Sequence, residues 1–149
     1  MVRDDLVSKV FNISESQIDD KVNELLNLIN NEREKNGLIK LQILPRLQEI
    51  AMTKAEDMVK NNYFSHESPS YGNPFDMMKN FGITYKSAGE NIAGNSSIEG
   101  AFNSWLLSEN HKQNILSTAY NYIGIGISPS EKYGYIIVAM FIRKIASRY

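Results

Sequence analysis

No cysteine occurs among the 149 residues, so disulfides, thiolate metal ligands and a cysteine nucleophile are excluded at the outset. That absence leaves the compartment open, because a chain of this length can bury a core without covalent staples. Histidine is almost as scarce, with His66 and His111 the only two. Net charge is lacking as well. Lys and Arg number 16 against 17 Asp and Glu, a formal charge of −1, and such a balance favours neither nucleic acid nor an anionic membrane as partner. No apolar run is long enough for a transmembrane segment or a signal peptide, and Met1-Val2-Arg3-Asp4-Asp5 opens without one. The chain is therefore either cytosolic or has lost an export segment or lipid anchor ahead of Met1.

The common catalytic signatures are missing too. There is no G-x-S-x-G, no H-E-x-x-H, no Walker A loop and no dinucleotide-binding glycine fingerprint. Arg143, Lys144 and Arg148 are too sparse for a nucleic-acid patch. Gly124 and Gly126 form a G-x-G inside a strand-like segment, where a bulge or close backbone packing explains them better than phosphate binding.

What remains is the material of one globular domain, with 42% hydrophobic and 22% charged residues. Residues 1–13 show no clear period and read as an N-terminal extension, a short helix or a trimmed linker, leaving 14–149 as the domain. Ser14 and Gln17 have capping-box spacing, and Ile18, Val22, Leu25, Leu26 and Ile29 recur at helical period until Gly37. A second helix is predicted over Pro45–Asn61, with Leu47, Ile50, Ala51, Ala55, Met58 and Val59 as its apolar stripe. Asn73-Pro74 starts a third that ends at Gly82. A fourth begins near Ser97, with Ser96 and Glu99 at capping-box spacing and Ile98, Ala101, Phe102 and Trp105 on one face. Trp105 should therefore anchor the core. The period then changes. Tyr122–Ser128 and Tyr133–Ile142 predict a β-hairpin around a turn at Ser128–Lys132, and 83–92 adds a strand despite Gly89. Helices first and strands last predict the α+β class with an antiparallel sheet.

Both histidines sit in polar, turn-like settings. His66 lies in Asn62-Tyr63-Phe64-Ser65-His66-Glu67-Ser68-Pro69, and His111 in Ser108-Glu109-Asn110-His111-Lys112-Gln113-Asn114. Two imidazoles and the carboxylate of Glu90 can supply up to three ligands to a divalent cation. Spacing alone does not bring them together, and a histidine in such a setting is more commonly an ordinary exposed polar residue. Ser65, Ser68 and Ser108 lie near the histidines in sequence. A Ser–His pair is one reading of them, and a cap or turn role is the commoner one.

The motifs nevertheless fall in a familiar order. Asn-Tyr-Phe-Ser-His at 62–66 is followed by Gly-Glu-Asn-Ile at 89–92. Next come Trp105-Leu106-Leu107-Ser108-Glu109-Asn110-His111 and Lys112-Gln113-Asn114-Ile115-Leu116, then Ile-Gly-Ile-Gly at 123–126. This resembles bacterial domains of the CAP superfamily (cysteine-rich secretory, antigen 5 and pathogenesis-related proteins; SCP-like) over about residues 18 to 143. The resemblance implies an α-β-α sandwich with an antiparallel sheet between helix layers. It implies a cleft in which His66, Glu90 and His111 bind metal, zinc or another divalent ion, with Ser108 and Glu109 as neighbours. Ser108 stands where larger eukaryotic members carry a second cleft Glu. The resemblance also implies secretion or surface display. Its expected role is a binding module whose ligand is a lipid, a sterol or a host or cell-surface partner. The alternative is a metal-dependent or Ser–His hydrolase of peptide or cell-wall material.

Overall fold

The computed structural model describes residues 13–144. The extension read at 1–13 therefore lies, but for Ile13, outside the described residues, as does Arg148. In chain order the elements are α1 (Glu15–Lys35), β1 (Gln42–Ile43), α2 (Pro45–Lys60), α3 (Pro74–Asn80), β2 (Tyr85–Asn95), α4 (Ile98–Leu106), α5 (Glu109–Ile115), β3 (Tyr122–Ser130) and β4 (Gly134–Lys144). No helix among the described residues is long and apolar enough to cross a membrane.

Local chemistry sets the boundaries. At the start of α1, Ser14 Oγ accepts the Gln17 N–H at 3.3 Å while the Gln17 side chain accepts the Ser14 N–H at 2.7 Å, closing the capping box. At its end the Leu38 N–H reaches the Arg33 carbonyl and the Gly37 N–H reaches that of Glu34, with Gly37 at φ +74°. Helix α2 closes in the same reciprocal way with Asn62 at φ +50° in place of glycine, a left-handed position that Asn tolerates better than most residues. The cap of α4 is Ser97 rather than Ser96. The Asn95 side chain accepts the Ser97 N–H and so turns the chain one residue later, and Ser97 Oγ accepts the Gly100 N–H at 2.9 Å.

The sheet order is β1-β3-β4-β2. The three long strands pair antiparallel, as the sequence predicts, but the short β1 adds a parallel pairing through Gln42↔Tyr122 and Ile43↔Ile123. The predicted turn at 128–132 is shorter than expected. Ser128-Pro129-Ser130 belongs to β3, and the hairpin closes at Ser130↔Gly134. Among the described residues no strand pairs with the outer side of β3 beyond Ile123, so Pro129, which has no N–H, removes no ladder bond there.

Helices cover both faces. Ile123, Ile125, Ile127, Ala139 and Phe141 pack with Leu25 and Ile29 of α1 and with Phe102 and Trp105 of α4. Ile136, Val138, Met140 and Ile142 pack on the other side with Leu47, Ile50 and Met58 of α2 and Met77 of α3. The Ile-Gly alternation of β3 follows from this sandwich. Its isoleucines face α1 and α4, while its glycines let the backbone of α2 lie directly on the strand. A Cβ at Gly126 would stand 2.1 Å from the Ala51 carbonyl oxygen, and one at Gly124 would stand 2.4 Å from that of Leu47.

Buried polar groups bind the layers together. Arg33 is fully buried and donates to the carbonyls of Ile39, Ile115 and Ser117 at 2.8, 3.0 and 2.8 Å, tying α1 to the end of α5. Asn30 exchanges two hydrogen bonds with the backbone of Leu41 at 2.8 and 3.1 Å. Trp105 is buried as predicted, and its Nε1 donates to the Ile92 carbonyl at 3.1 Å.

The contact between α2 and β3 gives a test. Gly126→Ala should lower unfolding stability by about 2–3 kcal/mol or more, since overpacking meets helix backbone that cannot move aside. Leu107→Ala, at a side chain 90% exposed, should change it by less than about 0.5 kcal/mol. Urea unfolding of the two variants measures the contrast.

Candidate functional site

Glu90 is buried beside a half-exposed His66. Its side chain is 1% exposed, while that of His66 is 53% exposed, and the His66 Nδ1–H donates to Glu90 Oε1 at 2.7 Å. The second carboxylate oxygen, Oε2, is buried without a hydrogen-bond partner. A buried acceptor of this kind carries a desolvation penalty unless something pairs with it.

The loop that carries His66 is fastened to α2 by two charged residues three positions apart. Asp57 accepts hydrogen bonds from the Tyr63 hydroxyl, from Ser68 Oγ at 2.7 Å and from the Asn61 amide at 2.6 Å. Burial alone would raise the Asp57 carboxyl, but these three donors and the nearby Lys54 outweigh it and hold the group below its ordinary value. Lys54 is fully buried, and its ammonium donates to the His66 carbonyl. Burial pulls this ammonium below the usual lysine value, against the opposing attraction of Glu90, Asp57 and Glu67. The Tyr63 hydroxyl is pushed well above its ordinary value by burial and by donation to Asp57.

His111 lies in α5 rather than in the turn-like setting the sequence suggests. Ser108 is the N-cap residue of α5, yet its side chain makes no capping bond to the backbone. It shares a 2.8 Å hydrogen bond with His111 Nδ1 instead. The Trp105 indole stacks on the imidazole, with centroids 6.4 Å apart and planes inclined by 27°. The helix itself is held to β2 by side-chain amides. Asn91 Nδ2 donates to the His111 carbonyl at 3.0 Å, and Asn114 Nδ2 donates to Asn91 Oδ1 at 2.9 Å. The Tyr120 hydroxyl closes the series on Asn114 Oδ1 at 3.3 Å. Gly89 is required here, because a Cβ at that position would come within 2.5 Å of the Tyr120 hydroxyl and 2.9 Å of Asn114 Oδ1.

Among the predicted site residues, His66 joins Glu90 and His111 joins Ser108. Burial, and then the charge of His66, lower the His111 imidazole below its ordinary value. Glu109 stands apart. It is exposed on the first turn of α5, and its hydrogen-bond partner is Gln113. No group of three or more His, Asp or Glu side chains among the described residues is arranged to hold a metal ion. Four residues that build the cleft were not singled out from sequence as site residues: Lys54, Asp57, Asn91 and Asn114. Lys54 carries a readable signal. It falls on the same helical stripe as Leu47, Ala51 and Met58, where a charge needs a partner. The amides of Asn91 and Asn114 give no such signal, because they lie 23 positions apart.

The model of the cysteine-rich secretory protein family (CAP) matches residues 26–141. The chain is 48% identical over 122 residues to the uncharacterized protein YkwD of Bacillus subtilis (strain 168), covering 81% of this chain and 46% of that protein. It is 38% identical over 131 residues to the uncharacterized membrane protein YlbC of the same strain, covering 85% of this chain and 35% of that one. The chain thus spans less than half the length of either relative. Among solved structures, an extracellular protein containing a SCP domain from Bacillus anthracis str. Ames matches with a TM-score of 0.79 at 29% identity, over 89% of this chain and 44% of that one. An outer surface protein from Borrelia burgdorferi shares the fold, with a TM-score of 0.78 at 21% identity over 85% of this chain and 94% of its own.

The lowered His111 imidazole predicts a pH dependence. The folded state binds this proton less readily than the unfolded chain does. Stability should therefore be fully present above the ordinary imidazole value of about 6.5 and fall as the pH drops through it. His111→Asn should flatten that segment of the stability–pH curve, measured by urea unfolding between pH 7.5 and 5.

Proposed function

Since the chain belongs to the cysteine-rich secretory protein family, we propose that it is an exported or surface-displayed binding domain whose cleft takes a divalent cation, zinc or a similar ion, between His66 and His111. The observation that carries this reading is the way both rings are tied down. Each histidine uses Nδ1 within the protein, His66 toward Glu90 and His111 toward Ser108, which leaves Nε2 of each ring for a ligand. A carboxylate behind a ligating histidine fixes the tautomer and raises the basicity of the other nitrogen. Glu90 therefore acts as the group that orients His66 rather than as a third ligand. Two imidazoles are a chemically suitable but short donor set, since zinc sites usually have three or four protein ligands. The bound state is consequently weak, open to solvent and readily stripped by chelators. An ion held there would supply Lewis acidity and a positive anchor for an anionic group of a partner.

Location outside the cell rests on the relatives, one an extracellular protein and another an outer surface protein by name. The partner remains one of the classes expected from sequence, a lipid or sterol or a host or cell-surface molecule.

The 2.8 Å Ser108–His111 hydrogen bond supports the hydrolase alternative, since a serine nucleophile needs such a base. The binding reading is preferred because the described residues place no carboxylate on the far nitrogen of His111 to orient it as a base. Cleavage of a peptide library that is lost in Ser108→Ala would reverse the preference.

Calorimetric titration of chelator-treated protein with zinc at pH 7.5 tests the main reading. One saturable site is expected, absent in the His66→Ala/His111→Ala double variant and weakened about 10–100-fold in Glu90→Gln. Binding should fade below about pH 6.5 as protons compete for imidazole. Absence of saturable binding, or binding unchanged in the double variant, overturns it.

A further inference from the structure

A cavity of about 560 Å³ opens beside the C-terminal end of α2, and none of His66, Glu90, Ser108 or His111 lines it. Its size is in the range of small-molecule pockets, about 300–1,000 Å³. Met58 and Val59 from the last turn of α2 and Ile136 of β4 give it an aliphatic floor. Tyr63, Phe64 and Tyr133 supply aromatic walls, and Asn62, Ser130, Glu131 and Lys132 complete the lining.

The aromatic walls are fixed by specific contacts. Tyr63 commits its hydroxyl to Asp57, so it offers the cavity a ring rather than a hydroxyl. Tyr133 lies against bare strand, because a Cβ at Gly94 would come within 2.6 Å of its ring. Glycine inside a strand weakens it, and here that weakness makes room for the tyrosine. The Phe64 ring lies 5.5 Å from that of Tyr133 at an inclination of 44°. It remains 43% exposed. Asn62 is the one described non-glycine residue at positive φ, and its carboxamide has no hydrogen-bond partner among the described residues.

We propose that this cavity binds a neutral saccharide of about two rings, of the N-acetylated amino-sugar class. A sugar ring presents an apolar C–H face to an aromatic wall and a polar edge to the rim, which matches Tyr133 and Phe64 beside Asn62 and Ser130. An acetamido group adds a methyl for the floor of Met58, Val59 and Ile136 and an amide for Asn62. The two lining charges, Glu131 and Lys132, are of opposite sign, the Lys132 ammonium lying 5.2 Å from the centroid of the Tyr133 ring, so the site selects neither an anion nor a cation. An aliphatic floor of three side chains is too small to sequester a long acyl chain. The proposal is independent of the histidine cleft.

The test uses the full 149-residue chain in excess chelator, so that metal in the cleft plays no part, titrated with N,N′-diacetylchitobiose and followed by ¹H–¹⁵N NMR. Saturable shifts are expected, largest at the amides of Val59, Phe64 and Tyr133. Affinity should fall at least about tenfold in Tyr133→Ala and in Phe64→Ala, as for the loss of an aromatic anchor. Phe64 is exposed enough that its removal leaves the core intact. Asn62→Gly, which suits the positive φ, should keep the fold and weaken binding several-fold. Four outcomes would overturn the proposal: no saturable shift up to the solubility limit, shifts centred elsewhere, unchanged affinity in both Phe64→Ala and Asn62→Gly, or decanoate filling the cavity where the sugar does not.

Discussion

The amide of Asn114 is the pivot of the cleft. It joins α5 to β2 by donating to Asn91, which in turn holds the carbonyl of His111. Asn91 is completely buried, and a buried amide left unpaired is expensive, so the pairing dictates where the short helix sits. Seven residues of helix do not hold a position in water by propensity alone. The amides, the Trp105 ring beneath His111 and the Arg33 guanidinium at the far end give α5 a fixed place, and with it one wall of the site. The Gly-Glu-Asn segment is then a single device. Gly89 clears room for Tyr120 and Asn114, Glu90 reaches His66, and Asn91 reaches α5.

The other wall depends on charge. Burying a lysine is unfavourable unless it is paired and hydrogen-bonded. Lys54 has the His66 carbonyl as its acceptor and three carboxylates within electrostatic reach. Asp57, one turn later, gathers three donors from the same loop. Helix α2 can present these groups with precision because its backbone rests directly on the glycines of β3, so any displacement of the helix is resisted by contact rather than by flexible side chains. The segment between Asn61 and Asn73 contains little regular structure, and its one isolated bridge is Ser68↔Gly72. It is held by α2 through Lys54 and Asp57 and by β2 through Glu90.

Most of the architecture was legible in the sequence because it rests on local signals. The Ser14–Gln17 box, the Asn73-Pro74 start, the glycine stops and the change of period near residue 120 are each read within a few residues, and the structure contains all of them. Apart from the Ser96 cap, which the side chain of the neighbouring Asn95 overrides, the errors share a cause in contacts made at a distance. Strand β1 exists only because Gln42 and Ile43 meet β3 some 80 positions away. Ser97 displaces Ser96 as a cap because of Asn95. His111 looked like a turn residue because Ser108–Asn114 has almost no apolar period, and α5 is helical through its amide contacts instead. Within the cleft, the histidines and Glu90 were visible as chemistry-bearing residue types. Of the residues that aim them, Lys54 alone carries a signal, as a charge on an apolar helical stripe; Asp57, Asn91 and Asn114 do not, since a side-chain hydrogen bond has no period and reveals its partner only in three dimensions.

These two walls determine what sort of site the cleft can be. Each imidazole is fixed at Nδ1 by a neighbouring side chain, and no group of three or more His, Asp or Glu among the described residues is arranged to hold an ion. Such an arrangement is preorganised in direction but sparse in ligands. Preorganisation lowers the ordering cost of binding, whereas a short ligand set limits affinity and leaves positions open to solvent or to a partner. For the ion proposed above, that combination would suit reversible bridging to an external group more than a permanent structural role. The fold does not require such an ion either, because both faces of the sheet are already closed by their own apolar cores. The absence of cysteine is consistent with this division of labour. Packing on both sides of the sheet, with Arg33 and the asparagine pairs at the joints, makes the cross-connections that disulfides make in smaller exported domains.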